Sequence, residues 1–438
     1  MPLADFTSCL LPGFMKIILV NPWIADFAAY NFWVRPLGLY RLAEWLWERG
    51  AEPVLLDCLA GFKAPAKFKR RPAPLPHWVN IPEMDRSFAR YGISFDEFDS
   101  RLGSLLPAEA VLVTSVMSYW YPGVIWAVER IRRAAPDMPI ALGGIYATLW
   151  PEHARQRSGA DIVFEGGLDR CGARLARWLG LPEEPVRPRR PWYMLGLHDG
   201  APFSGIRTAE GCPFRCSYCA SRLVSGPFRP RGPQQILDEI TSLYQSGVRS
   251  FCFYDDALLV DFRGRTGPVL KKLCSMGIEA EFHTPNGLHA RLIDEYAAFL
   301  MAASGFKTIR LSLETVDIDR QLKTGGKVST EDVSRAVGLL LDAGIDRKAV
   351  GVYLMAGLPG QDLSEVEEGI RFVKGLGVRP YIAEFSPIPG TAEWERLKDA
   401  GLLSDGIDPI FTNNTIFYWH AAGLERSRLH RLKEMARA

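Results

Sequence analysis

Short runs of Val, Ile and Leu alternate with segments of helical periodicity along this chain, and the alternation occurs in two blocks. The first run covers residues 15–20 and ends before Pro22. A helical segment that Pro36 opens separates it from a second run at 53–57. A buried strand, a helix and a second strand with short joints form a βαβ unit, which requires a parallel sheet. The chain is therefore expected to adopt an α/β fold.

The first block continues after a break. Three further strands are predicted, at 110–115, 140–142 and 161–164. Between residues 61 and about 110 the rhythm is lost, and we interpret this stretch as an insertion. Residues 1–180 thus predict one Rossmann-like domain with a doubly wound parallel sheet. Residues 181–191 hold four prolines, which predict a stiff linker over 181–200.

The second block repeats the alternation with six strands. They are predicted near Gly205, Val248, Ile278, Lys307, Ala349 and Arg379. Six parallel strands are too few for a closed eight-stranded barrel, so residues 201–395 predict a partial (β/α)6 TIM-like barrel. By analogy with complete barrels, its site is expected at the carboxyl ends of the strands. Residues 396–438 are charged and predict a helical tail.

Three of the eight cysteines, Cys212, Cys216 and Cys219, lie within eight residues, in a CxxxCxxC spacing after the first strand of the second block. The other five are scattered and form no disulfide framework. Three thiolates can bind three irons of a 4Fe–4S cube and leave the fourth iron open. A structural zinc site needs four ligands, and no His or Cys follows at finger spacing. The sequence therefore favours an iron–sulfur cluster on a catalytic loop.

This loop resembles that of the radical S-adenosylmethionine (SAM) superfamily, and the resemblance covers about residues 201–395. It implies that Cys212, Cys216 and Cys219 bind the cluster and that SAM chelates the open iron. It further implies that reductive cleavage of SAM yields a 5′-deoxyadenosyl radical, which takes a hydrogen atom from the substrate. An electron donor such as flavodoxin or ferredoxin follows as an expected partner.

The resemblance also assigns SAM-binding roles near the first two strand ends of the barrel. Tyr218 matches an aromatic residue whose backbone helps to hold the adenine, and the alternative is that it only packs the loop. Asp255 or Asp256 stands where the family often has a Gly-Gly-Glu motif for the methionine amino group. A carboxylate suits that ammonium group, since charge-assisted hydrogen bonds are the stronger kind. The sequence leaves the choice between the two aspartates open, and one of them can instead cap the next turn.

Further assignments fall on later strands. Ser312 and Glu314 match residues that contact the ribose and methionine of SAM, with a structural ion pair as the alternative. The sequence after the fifth strand is similar to a glycine-containing motif on the adenine side, which implies roles for Gly357, Leu358 and Pro359. Asn286 is a further cleft candidate that we rank lower.

The first domain, with Pro36-Leu-Gly-Leu and Leu142-Gly-Gly, resembles the cobalamin-binding domain of one radical SAM branch, whose members typically methylate unactivated carbon or phosphorus. It lacks the Asp-x-His-x-x-Gly motif, so the sequence names no axial ligand. Residues that could contact cobalamin or substrate, or could instead pack between the domains, are Tyr119, Trp120, Tyr121, Gly143, Gly144 and Tyr146. Isolated histidines are more often structural or solvated than ligands, which we expect of His153, His198, His283 and His289.

Three functions remain open. The first is a cobalamin-dependent radical SAM methyltransferase acting on a small molecule, lipid or peptide. The second keeps the barrel chemistry for a rearrangement, cyclisation or oxidation, with an N-terminal domain that binds substrate without cobalamin. The third, of a different class, is a tRNA-modifying or nucleic-acid-binding protein that uses Lys63 to Arg71. The sequence favours the third least, since a basic run without a paired aromatic platform is usually a solvated loop.

Charge and hydropathy narrow the partners. The chain has 52 Lys and Arg residues and 50 Asp and Glu residues, a formal net charge of +2. A net charge this small does not attract nucleic acid or an anionic membrane to the protein as a whole. The most apolar stretch, 111–128, is interrupted by Thr, Ser, Pro and Gly, which argues against a membrane span. Residues 1–14 lack the charge order of a secretory signal. We expect a cytoplasmic location.

Overall fold

The computed structural model describes residues 15–79, 87–404, 406–420 and 426–438. Residues 1–14 of the predicted first domain and 80–86 of the predicted insertion lie outside this part. Over 15–79 and 87–180, the chain forms ten strands: β1 Met15–Asn21, β2 Ile24–Asp26, β3 Tyr30–Asn31, β4 Ala51–Asp57, β5 Ala66–Lys67, β6 Arg70–Pro72, β7 Ala89–Tyr91, β8 Ala110–Val113, β9 Ile140–Leu142 and β10 Ile162–Val163. The α-helices of the same ranges are α1 Leu37–Glu48, α2 Phe95–Leu105, α3 Tyr121–Ala134, α4 Ile145–Leu149, α5 Pro151–Arg157 and α6 Leu168–Leu179.

Five of these strands form the doubly wound parallel sheet that the sequence predicts, in the order β10-β9-β8-β1-β4. Helix α1 begins after Pro36, whose fixed backbone suits a helix start, and its apolar stripe packs against β1 and β4. The strand order reverses between β1 and β8. In doubly wound sheets, ligands bind at the carboxyl ends of the strands at such a reversal.

The predicted insertion forms small antiparallel sheets together with residues that follow β1. One has the order β2-β7-β6, and a two-stranded ribbon joins β3 to β5. Phe68 and Tyr91 are buried beneath them in a small core with Ile24 and Leu59. The insertion is therefore packed onto the domain by contacts that the sequence does not reveal.

The remaining described residues contain eight strands: β11 Phe203–Ile206, β12 Ala209–Glu210, β13 Arg229–Pro230, β14 Ser250–Phe253, β15 Glu281–His289, β16 Phe306–Glu314, β17 Val350–Ala356 and β18 Arg379–Glu384. The α-helices of this part are α7 Ser221–Val224, α8 Pro233–Gln245, α9 Thr266–Ser275, α10 Glu295–Ala303, α11 Ile318–Lys323, α12 Thr330–Asp342, α13 Leu363–Gly375, α14 Ala392–Asp399, α15 Asn414–His420 and α16 Arg426–Arg437.

Six parallel strands form the partial barrel in the order β11-β14-β15-β16-β17-β18, which confirms the predicted architecture. Ser329 and Asp332 form a reciprocal capping box at the start of α12, as their spacing predicts. One expectation differs: residues 283–287 lie within β15 rather than after the third strand. The pairing of β15 with β16 shifts register around them, so this stretch extends the strand irregularly.

The described part of the tail contains the helices α14, α15 and α16 with non-helical segments between them, and it contacts both domains. Helix α16 packs against β18 and α13, with Leu429 and Leu432 in the barrel core. Ile410 and Ile416 lie in the core of the N-terminal domain. Among the described residues, no helix has the length and apolar character of a membrane span.

Candidate active site

The loop between β12 and α7 contains the three clustered cysteines as free thiols. Cys212 is buried, Cys216 is half-buried and Cys219 is exposed. Burial raises the pKa of the Cys212 thiol to about 11 and also raises the pKa of Cys216. All three thiols lie on this one loop, within eight residues of the chain. Binding of metal would therefore release protons from this site.

The backbone of the cysteine loop depends on a glycine. Gly211 has a φ of +70°, in the left-handed region. A Cβ atom at this position would lie 2.5 Å from the carbonyl oxygens of both Gly226 and Pro227. Gly211 thus lets two backbone segments approach closely just before Cys212.

The far end of the loop is tied to two other segments. The amide of Ser217 donates a hydrogen bond to the carbonyl oxygen of Thr324 at 3.1 Å. The Ser217 hydroxyl donates to Glu393 at the start of α14, at 2.5 Å. These contacts fix the backbone between Cys216 and Cys219 before any metal binds.

The donor set fits a cluster better than a single ion. Among the described residues, no three His, Cys, Asp or Glu side chains stand close enough to one another to share one metal ion. Thiolates that bind different irons of a cube stand farther apart than ligands of one ion, and they need no fourth protein ligand. Three thiols on one anchored loop match that requirement.

A cavity of about 400 Å³ opens at the carboxyl ends of the barrel strands. Its lining residues are Asp255, Asp256, Pro285, Asn286, Gly287, Ser312, Glu314, Tyr353 and Ala383. The structure therefore brings together five candidates from the sequence: Asp255, Asp256, Asn286, Ser312 and Glu314. Sequence reasoning missed Pro285, Gly287, Tyr353 and Ala383. The sequence holds a signal only for Pro285 and Gly287. They belong to a Pro-Asn-Gly run, which disturbs the regular pairing of a strand and so marks an irregular site.

The two adjacent aspartates have different surroundings. Asp255 is buried and accepts hydrogen bonds from the amides of Thr208 and Ala209 and from the Thr208 hydroxyl, at 2.6 to 3.1 Å. Arg265 lies 3.4 Å away. Burial raises the pKa of Asp255, and these partners oppose that rise. Asp256 is half-buried and has no hydrogen-bonding partner among the described residues, so it is the carboxylate left available to a ligand.

Glu314 has an unusual backbone at the end of β16. Its φ of +70° is rare for a residue with a side chain, and the pairing with β17 shifts register there. Its carboxylate lies 3.6 Å from the Lys327 ammonium. Burial, followed by the charge of Glu314, raises the pKa of Tyr218. Glu314 thus connects the cavity to the cysteine loop, and strain of this kind concentrates at functional sites.

The loop after β17 does not line this cavity. The amides of Gly357 and Leu358 donate to the Gln361 side chain at 2.8 and 3.2 Å, and the carbonyl of Pro359 accepts from Arg320. These three predicted residues form a turn after β17 that the Gln361 side chain and Arg320 of α11 hold in place.

The aromatic candidates of the first domain lie at its ligand-binding edge. Tyr121 and Tyr146 are fully buried, and the Tyr121 hydroxyl donates to Asp408 of the tail at 3.0 Å. His153 contacts the Tyr146 hydroxyl at 2.7 Å and Asp408 at 3.3 Å, and Trp78 donates to Asp408 at 2.9 Å. Tyr121 therefore contacts the tail directly, and Tyr146 is connected to it through His153.

The other candidates of this domain are more accessible. Tyr119 and Trp120 are half-buried, and the Trp120 indole donates to Asp26 at 2.7 Å. Gly143 and Gly144 follow β9, where the Ser115 hydroxyl donates to the carbonyl of Gly143. Because both residues are glycines, no side chains fill the space at the end of β9.

Three of the four isolated histidines form part of the barrel or its approach. Burial lowers the pKa of His283 to about 4 and that of His289 to about 3. Burial also lowers the pKa of His198, which packs near Arg35 and Asp199. Burial of these three side chains and the hydrogen bonds of His153 show packing contacts within the fold, and their structural role stays a prediction.

Residues 206–373 match the family described as Radical SAM superfamily, which confirms the resemblance. An uncharacterized methyltransferase of Pyrococcus horikoshii is 28% identical over 206 residues, 45% of this chain and 42% of that protein. An uncharacterized methyltransferase of Synechocystis is 26% identical over 297 residues, 64% of this chain and 54% of that protein. The chain thus spans about half the length of these curated relatives.

Two solved structures share the fold of nearly the whole chain. The radical SAM methyltransferase TsrM from Kitasatospora setae, with cobalamin and a 4Fe–4S cluster bound, matches with a TM-score of 0.63 at 16% identity, over 91% of this chain and 81% of that one. The cobalamin-dependent SAM radical enzyme OxsB, with aqua-cobalamin and SAM bound, matches with a TM-score of 0.55 at 13% identity, over 94% of this chain and 57% of that one. At such identities the likeness shows the fold, including the domain that precedes the barrel.

Proposed function

We propose that this radical SAM enzyme is a cobalamin-dependent methyltransferase that acts on an unactivated carbon of a small molecule, lipid or peptide. The observation that supports this most is where the ligand-binding edge of the first domain lies. Helix α4, which follows β9 at that edge, packs against α7, which follows Cys219. Asp169 at the start of α6 pairs with Arg229 of β13 at 3.1 Å. A cobalamin bound at the carboxyl edge of the N-terminal sheet would therefore lie beside the cysteine loop.

The chain's own residues suit the roles that this function requires. When bound, the cluster supplies the electron that cleaves SAM, and cobalamin supplies the methyl carrier. Cys212, Cys216 and Cys219 would hold the cluster on a loop that is already anchored. Asp256 would accept hydrogen bonds from the SAM ammonium group, because none of the described residues already occupies its carboxylate. Ser312 would present its hydroxyl to the same ligand from the end of β16, across β15 from Asp256.

An apolar surface at the strand-order reversal suits a corrin ring. Val116 and Met117 follow β8 and are 40% and 44% exposed. Exposed apolar side chains at a binding edge favour a ligand with a large apolar face. The half-buried rings of Tyr119 and Trp120 follow directly, so this short segment would form the corrin contact.

Retention of corrin by the purified protein tests the proposal. The chain would be reconstituted with iron and sulfide without oxygen, incubated with hydroxocobalamin and desalted, and the corrin absorbance per chain measured. We expect near-stoichiometric retention, and a several-fold loss in Val116→Glu because a buried charge would face the ring. Val186→Glu is the matched control, since Val186 is 61% exposed in the linker.

Two outcomes would contradict parts of this proposal. The first, no corrin retention by a chain that still binds its cluster and cleaves SAM, would exclude cobalamin. The second, equal retention in both glutamate variants, would remove Val116 from the corrin contact and leave cobalamin binding itself intact. The first outcome would make the N-terminal domain a substrate module and favour rearrangement, cyclisation or oxidation. Cys216→Ala, which we expect to lose the brown cluster absorbance, shows whether cleavage depends on the cluster.

A further inference from the structure

We propose that a basic and aromatic face on the N-terminal domain binds single-stranded nucleic acid. This ribbon face consists of Tyr30, Phe32, Lys63, Lys67 and Lys69, on and beside the ribbon of β3 and β5. The basic run has no aromatic partner in the linear sequence. The fold supplies one, because β3 comes from the segment after β1 and lies against the insertion.

The pairing of the ribbon places rings and ammonium groups on one side. Tyr30 lies directly opposite Lys67 in the antiparallel pair, and side chains of directly opposed residues project to the same face. The Asn31 amide donates to the carbonyl oxygen of Lys63 at 3.1 Å, which holds that residue beside the pair. Lys67 and Lys69 are exposed whereas Phe68 between them is buried, so the chain alternates between a solvent face and a packed face.

The two rings are presented on a rigid support. Tyr30 is 40% and Phe32 46% exposed, and their centroids lie 4.5 Å apart. The carbonyl oxygen of Phe32 accepts hydrogen bonds from Tyr254 and Cys252 of the barrel. The next residue, Trp33, is buried and stacks on His283 at 3.8 Å. Two adjacent exposed rings fixed from below form a surface on which planar groups can stack.

The described residues do not neutralise the positive charge of the face. Lys63, Lys67 and Lys69 form no ion pair with any described residue, and the exposed Arg70 adds a fourth cation at the end of the row. Lys67 and Lys69 are two residues apart, so their side chains leave a nearly extended backbone about 7 Å apart. This row offers successive contacts to a polyanion that lies along it.

The combination favours nucleic acid over an acidic peptide. Aromatic ring faces carry negative electrostatic potential, so they gain from stacking on bases and not from approaching carboxylates. A base exposes its face only when it is unpaired, which selects single strands over duplexes. A cationic track with stacking rings is the arrangement that sequence-tolerant single-strand binders use.

Fluorescence anisotropy with a labelled 12-nucleotide oligouridylate tests the proposal on the full chain. Each phosphate contact that is lost should reduce the slope of log K against log salt by about 0.7. The triple variant Lys63→Ala, Lys67→Ala, Lys69→Ala should therefore bind weakly, with a slope smaller by about 2. The control is Lys271→Ala, Lys272→Ala, Lys348→Ala, which removes the same charge from exposed sites on other elements and should leave binding intact.

A second pair of variants separates stacking from charge. Tyr30→Leu and Phe32→Leu keep apolar bulk but remove the rings, and each should weaken binding by about 5- to 100-fold. Tyr30→Trp should preserve it. No saturable binding at low salt, equal losses in both lysine triples, or unchanged affinity in both leucine variants would each overturn the proposal. Equally tight, ring-dependent binding of a labelled polyglutamate 12-mer would also overturn it. The binding experiment measures affinity for the oligonucleotide alone, so its outcome is independent of whether the protein transfers methyl groups.

Discussion

Two neighbouring carboxylates at the end of β14 have different partners. The Asp255 carboxylate already accepts hydrogen bonds from Thr208 and Ala209 and lies beside Arg265. Breaking these bonds would leave buried donors without partners. Asp256 lines the same cavity but makes no such bonds with described residues. The first residue therefore holds the loop that leads to the cysteines, and the second is free to bind ligand.

Exchange of each aspartate for asparagine should separate the two roles. Asp256→Asn should weaken SAM binding by about 10- to 100-fold, because a charge-assisted hydrogen bond is worth about 1.5–3 kcal/mol. Asp255→Asn should instead lower the free energy of unfolding by about 1–3 kcal/mol. Calorimetric titration of SAM into the reconstituted protein and urea unfolding measure the two effects. Equal SAM affinities in both variants would remove Asp256 from the site.

His283 should make stability depend on pH. Burial, together with Arg310 and Lys307, lowers its pKa to about 4 from 6.5, although Glu281 lies 3.8 Å away. Below about pH 6.5 the unfolded chain binds a proton at His283, and the folded chain does not until about pH 4. The free energy of unfolding therefore falls as pH is lowered through this window.

We expect His283→Gln to remove about 1 kcal/mol from the difference in unfolding free energy between about pH 7.5 and 5.5. Urea unfolding at both pH values measures it. The exposed His77 provides the control variant His77→Gln, which should retain the full difference. The same pH dependence in His283→Gln as in the unchanged chain would contradict this account.

At the scale of elements, the cysteine loop depends on Gly211. An alanine there meets two carbonyl oxygens, in addition to the cost of about 1–2 kcal/mol for a left-handed backbone. Gly277 has nearly the same φ, +67°, but a Cβ atom there meets no atom within 4 Å. The two glycines thus share a left-handed backbone, which would strain an alanine equally at both positions, and they differ only in crowding.

Gly211→Ala should therefore bind several-fold less iron per chain after anaerobic reconstitution, because the loop must shift to relieve the contact. Gly277→Ala should bind the full amount, at a similar small loss of stability. Iron content and circular dichroism of both variants provide the measurement. Full iron content in Gly211→Ala would show that the loop tolerates the shift.

The regular elements follow from local patterns. Runs such as Ile17 to Val20 are buried on both faces of a parallel sheet, so they read as continuous apolar strands. The two-residue strands β3 and β5 are too short to show a period. Their pairing brings Tyr30 opposite Lys67, and these residues are far apart in the chain. For this reason the sequence could not show that the basic run has aromatic neighbours.

At the scale of the molecule, the tail holds both domains. Asp408 accepts hydrogen bonds from Tyr121 and Trp78 and contacts His153. Burial would raise the pKa of Asp408, but His153 first, and then the Ile410 amide and Trp78, keep it lowered. Asp408→Ala would leave these donors without a partner and should lower the free energy of unfolding by about 1–3 kcal/mol.

Urea unfolding and limited proteolysis of the tail measure this effect. The exposed Asp399 provides the control Asp399→Ala, for which we expect neither loss of stability nor faster cleavage. Unchanged protease resistance and stability in Asp408→Ala would mean that the apolar contacts of Ile410 and Ile416 hold the tail by themselves.

The sequence by itself determined the α/β architecture, the partial barrel and the three cysteines, because strand periodicity and the CxxxCxxC spacing are local properties of the chain. The tertiary structure decided what depends on contacts between distant residues. It separated Asp255 from Asp256 through Thr208, 47 positions away, and it joined Tyr121 to Asp408 across 287 positions. A hydrogen bond needs only closeness in space, so spacing along the chain cannot show which polar groups already have partners and which remain free for a ligand.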